Sequence, residues 1–101
     1  MDKKAIKVRE KRIRNHFDSD AYIVMVGERK VGEVPLGIEY GHISVMEFTR
    51  KGDVNTHSIK CLVNISIDEI KQIAYREVMG IAQSYANKTG YDLIDLIGEA
   101  A

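Results

Sequence analysis

Three histidines, one cysteine, a group of carboxylates near the C-terminus and a run of cations near the N-terminus are the residues whose types could do chemistry. His16, His42 and His57 are separated by 26 and 15 residues. A zinc site ordinarily contains at least one close ligand pair, so no metal centre is expected. Cys61 would need a lowered pKa and a neighbouring base to act as a nucleophile. It stands between Ile59 and Val63 in an alternating run, where a thiol behaves as a small hydrophobe. Asp92, Asp95 and Glu99 share one side of the tail if the tail is helical. They lack the calcium-loop pattern of oxygen ligands around a central glycine, and they read as a solvated face. The stretch from Gly27 to Gly32 lacks the Gly-Lys-Ser/Thr ending of a phosphate loop and reads as a hairpin turn. No catalytic residues and no cofactor are assigned.

The cations are the most uneven feature of the chain. Residues 1–16 hold seven basic groups against two acidic ones, a net +5, and the other 85 residues hold eight against thirteen, a net −5. Five of the cations, Lys7, Arg9, Lys11, Arg12 and Arg14, could neutralise nucleic-acid phosphates in a strongly salt-dependent way. The arginines suit that task because their planar forks bind phosphate oxygens in pairs.

The elements that must carry these residues follow from periodicity. The 101 residues suit a single domain, divided here into a basic segment (1–18) and an α+β body (19–101). Ile6, Ile13 and Phe17, with Val8, mark a thin apolar stripe on a charged N-terminal helix or arm. Residues 21–67 read as about four antiparallel strands joined by short turns. The first spans 21–26, the second 31–36 and the third 43–50. Pro35 donates no ladder hydrogen bond, so the second strand should lie at an edge or break there. The fourth strand is read from Ile59, Cys61, Val63, Ile65 and Ile67, which alternate with Ser58, Lys60, Leu62, Asn64 and Ser66.

Ser66 and Glu69 then form a capping box. Ile70, Ala74, Val78, Ile81 and Tyr85 follow at helical spacing, and Thr89-Gly90 supplies a stop. The sequence therefore predicts one long helix over about 68–88, packed on the sheet face that bears Ile59, Cys61, Val63 and Ile65. Gly80 interrupts its polar side. Residues 91–101 form a short element that fits a helix slightly better than a strand. Residues 85–92 resemble the closing stretch of acetyltransferases of the GNAT superfamily, in which a sheet is followed by a helix and a Lys-x-Gly-Tyr-like turn. That family's glycine-rich coenzyme A loop has no counterpart before this helix, so no acetyl transfer is read from the resemblance.

Beside the main apolar stripe, Tyr75, Met79 and Ala82 widen the arc of the long helix. Tyr and Met are favoured at interface cores. The leading expectation is a cytoplasmic, non-enzymatic binding or regulatory protein that contacts a protein partner, or itself as a homo-oligomer, through this face. The alternative is nucleic-acid binding through the basic segment, and a third reading is a small enzyme whose site forms only on oligomerisation. The start of the chain carries no secretory pattern. Its apolar runs are far shorter than the ~20 residues of a membrane span.

Overall fold

The computed structural model describes residues 5–11, 20–62 and 64–100. The sheet has six strands: β1 (Ile6–Lys11), β2 (Ala21–Val26), β3 (Arg29–Pro35), β4 (His42–Phe48), β5 (Val54–Lys60) and β6 (Leu93–Asp95). A long helix, α1 (Ile67–Thr89), connects β5 to β6, and a short helix, α2 (Leu96–Ala100), follows. The strand order is β5-β4-β3-β2-β1-β6. Strands β1 to β5 form an antiparallel meander, whereas β6 pairs parallel to β1, with Ile6 opposite Leu93. Among the described residues no helix is long and apolar enough to cross a membrane.

The α+β class and the four strands within 21–67 agree with the sequence reading, but three of its details need correction. Residues 6–11 are a strand rather than a helix or arm. Ile6 and Val8 are fully buried while Lys7 and Arg9 between and after them are exposed, the period of two that defines a strand with one buried face. Arg12 and Arg14 lie outside the described residues. The alternation from Ile59 to Ile67 does not mark one strand: β5 ends at Lys60. Cys61 and Ile65 still pack against the core, but as loop residues, because the chain must turn into the cap of α1. Val63 lies outside the described residues. The tail combines both alternatives, three residues of strand and then a helical turn.

Pro35 is the last residue of β3, opposite Ala21 of β2. The paired residues of β3 and β4 are Gly32 with Glu47 and Glu33 with Met46. Pro35 therefore sits beyond that ladder, where its missing N–H removes no hydrogen bond to β4. The strand is internal to the sheet and ends at the proline.

Local chemistry sets the ends of α1. The Ser66 hydroxyl accepts the Glu69 amide at 3.2 Å, and Glu69 Oε1 takes the same hydroxyl at 3.4 Å. At the other end Gly90 adopts a left-handed φ of 74° and donates its N–H to the Ala86 carbonyl at 2.8 Å, a conformation that costs glycine least.

The buried face of α1, Ile70, Ala74, Val78, Ile81 and Ala82, meets Ile6 and Val8 of β1, Tyr22 and Val24 of β2, Val31 and Val34 of β3, and Ile43 and Val45 of β4. Each fully buried aliphatic side chain of this kind contributes about 1.5–3 kcal/mol relative to exposure. Gly32 lets the helix approach, since a Cβ there would stand 3.1 Å from Ile81 Cδ1. The helix lies over β1, β2, β3 and part of β4. The residues of β5 are exposed except for the half-buried Ile59.

Because Ile6 is fully buried in a strand bonded on both sides, Ile6→Ala should destabilise the protein by about 2–5 kcal/mol. Urea unfolding checks this. A change near zero would mean that β1 is a dispensable arm.

Candidate binding groove

The register of the sheet separates its two faces. Val45 and Ile43 point toward α1, so their partners His57 and Ile59 do as well, and so does Asn55 opposite Glu47. Because α1 stops short of β5, a groove remains between the helix flank and the inner face of β4 and β5. A cavity of about 240 Å³ is walled by Val45, Glu47, His57, Glu77, Gly80 and Tyr85, among others. A second, of about 430 Å³, continues along Arg29, Arg50, Asn55, Tyr85 and Lys88. Tyr85, half-buried, belongs to both.

His57 reaches across the groove, with Nε2 3.4 Å from Glu77 Oε1. His42 is on the opposite face of the sheet, where its Nδ1–H donates to the Tyr40 carbonyl at 2.9 Å. The two histidines are therefore not brought together, and His16 lies outside the described residues. Cys61 is half-buried and its thiol points to the Ile59 carbonyl at 3.5 Å, the placement of a small packing residue. Among the described residues no three His, Cys, Asp or Glu side chains gather as metal ligands.

Gly80 lines the groove and is exposed, and nothing lies within 4 Å of where its Cβ would be. Glycine in mid-helix is unfavourable by about 1 kcal/mol relative to alanine. No close approach explains it, in contrast to Gly32. What Gly80 does is keep the wall of the groove flat.

The helix face proposed for a partner divides. Ala82 is fully buried in the core, so it faces the sheet of its own chain. Tyr75 and Met79 are half-buried and border a shallow surface with Gln72 and Arg76. The Tyr75 hydroxyl donates to Asp95 Oδ2. Asp95 Oδ1 in turn accepts the amides of Ile97 at 3.0 Å and Gly98 at 2.9 Å. Burial pushes the Asp95 carboxyl up, but the Gly98 amide, the Tyr75 hydroxyl and the Ile97 amide outweigh it and hold the group below its ordinary value. The same hydrogen bond, then burial and the carboxylate charge, raises the Tyr75 phenol. This latch fastens the tail to α1.

Of the basic residues considered for nucleic acid, Lys7, Arg9 and Lys11 stand on the sheet face turned away from α1, opposite Met25, Ile23 and Ala21 of β2. They take no part in the groove. The groove's own cations come from the start of β3 (Arg29), the β4–β5 turn (Arg50) and α1 (Arg76 and Lys88). Their distance along the chain hid them from any motif. The out-of-place Gly80 was the one local signal.

Comparison with protein-family models, with curated proteins and with solved structures finds no match.

Gly80→Ala should raise stability by about 1 kcal/mol, read as a higher urea midpoint, because the added methyl meets no atom. A destabilised variant would mean that the groove wall is packed more tightly than this. A lowered Asp95 pKa implies stability that is present above the ordinary value of 3.8 and is lost as pH falls through the depressed one. Asp95→Asn should remove that part of the acid-range dependence. Identical midpoint–pH profiles for the variant and the parent chain below pH 3.8 would rule the latch out as its source.

Proposed function

We propose that the protein is a non-enzymatic binding or regulatory protein that acts by protein contact, and that it associates with a second copy of itself through the free edge of β5. That edge is the observation that carries the reading. In the β4–β5 ladder the amides of Cys61 and Thr49 bond Gly41 and Asp53, which sets the odd-numbered residues of β5 toward β4. The N–H and C=O groups of Val54, Thr56, Ser58 and Lys60 therefore point outward. A regular strand of seven residues, six of them exposed, offers a template for a further strand. Only Lys60 provides a charged guard, and β5 has neither proline nor bulge. At the opposite side of the sheet, β6 is three residues long and is followed directly by α2.

The edge is self-complementary. Antiparallel pairing of two β5 strands about His57 sets Val54 against Lys60 and Thr56 against Ser58, so the two lysines do not oppose each other. Four outward amides on each of two copies give eight hydrogen bonds, in the isologous arrangement of a twofold dimer. Val54 and Leu62, 48% and 82% exposed, add apolar area at the two ends of the strand. This replaces the helix face as the contact surface, because Ala82 is inside the core and the Tyr75 hydroxyl is held by Asp95.

Thr56→Pro tests the proposal by sedimentation. The outward amide of Thr56 is not part of the β4 ladder, so the fold should survive while strand addition is blocked. The expected result is a dimer for the parent chain and a folded monomer for the variant. A parent chain that stays monomeric at high concentration, or a variant that dimerises as well as the parent, would sink the idea.

A further inference from the structure

At the end of the molecule where the β2–β3 and β4–β5 turns meet the last turns of α1, the 430 Å³ cavity is lined by Arg29, Arg50 and Lys88 against the single carboxylate of Glu47. Among the described residues the ion pairs are Lys30 with Glu33 and His57 with Glu77. None of the three cations enters one. The chain as a whole is neutral, so gathering unpaired cations around one concavity is not a consequence of composition.

A purely structural role would be to serve the negative end of the α1 dipole. Two carbonyls there are already satisfied, since Ala86 accepts the Gly90 amide at 2.8 Å and Tyr85 accepts the Thr89 hydroxyl at 2.7 Å. Arg29 and Arg50 form no hydrogen bond with the helix; Lys88 lies over the Tyr85 ring, 5.9 Å from its centre.

We infer that this cleft binds a small molecule bearing a phosphate group. The guanidinium forks of Arg29 and Arg50 can each take two phosphate oxygens, and Lys88 adds a point charge. The Tyr85 hydroxyl, which has no partner among the described residues, is a further donor at the same wall. A cavity of this size is within the range of about 300–1,000 Å³ typical of small-molecule sites. It leaves room beside Phe48 and Tyr85 for the body of the ligand. The site shares Asn55 with β5 but none of its cations, and Thr56→Pro should leave those cations in place.

The full chain is titrated with inorganic phosphate, pyrophosphate, a mononucleotide and a short single-stranded oligonucleotide at one fixed salt concentration, followed by amide and side-chain NMR shifts. Saturable binding is expected, tighter for pyrophosphate than for phosphate, with shifts at Arg29, Arg50, Tyr85 and Lys88. The double variant Arg29→Ala/Arg50→Ala should lose affinity by about tenfold or more, with its urea midpoint unchanged. Absence of saturation, or equal binding by the double variant, would overturn the inference. So would a fall in the variant's midpoint without a change in affinity, which would assign the arginines to the helix end. An oligonucleotide bound far more tightly than the mononucleotide would also overturn it, in favour of a nucleic-acid surface.

Discussion

The pairing of β1 between β2 and β6 is the constraint from which the remaining features follow. Ile6 and Val8 are fully buried on the inner face of β1, which lies inside the sheet. The outer edge of β1 is taken by β6, which pairs with it in parallel. A parallel partner for the first strand requires the chain to return from β5 across the whole sheet. Five strand spacings of about 4.8 Å make that crossing roughly 24 Å. The connection is made by α1, whose 23 residues give a rod of about 34 Å. A helix with side chains is only about 10–12 Å across, so it cannot cover a sheet of six strands. It sits where the core is richest, over β1, β2 and β3, and β5 is left uncovered. The open edge and the groove beside it are thus geometric consequences of where the first strand is placed.

The tail depends on the same constraint. Three residues of strand form a weak attachment on their own. The Asp95 carboxylate strengthens it by joining the Tyr75 hydroxyl of α1 to the first amides of α2. One side chain therefore ties sheet edge, crossover helix and terminal helix together. Its net lowered pKa fits this role, because the contacts that outweigh burial all favour the ionised form.

How much of this could be read from the sequence depends on whether the information is local. The long helix was legible nearly to the residue because its signals are neighbours: Ser66 and Glu69 at one end, Gly90 at the other, and a buried stripe at spacings of three and four between them. The hairpins within 21–60 were legible from runs of β-branched residues separated by glycine. β1 was not, since only two buried residues mark it and the dense charge around them suggested a helix or an arm. The end of β5 was misplaced because alternation continues through Cys61 and Ile65, which pack on the core without belonging to a ladder. Ala82 was assigned to a partner face because periodicity gives the width of an apolar arc but not the curvature of the sheet that receives it. The groove was illegible as a motif, since Arg29, Arg50, His57, Glu77 and Lys88 meet only after four strands and a helix are in place.

Gly80 and Gly32 carry the cost of a glycine in different ways. Natural sequences often stand below their stability optimum, and a glycine can be kept without any packing reason. Gly32 has such a reason in the approach of Ile81. At Gly80 nothing among the described residues lies within 4 Å of an added Cβ, and the space above it belongs to the groove. The flank of α1 facing β5 borders this open space, whereas Ala82 is buried in the core and Tyr75 is joined to Asp95.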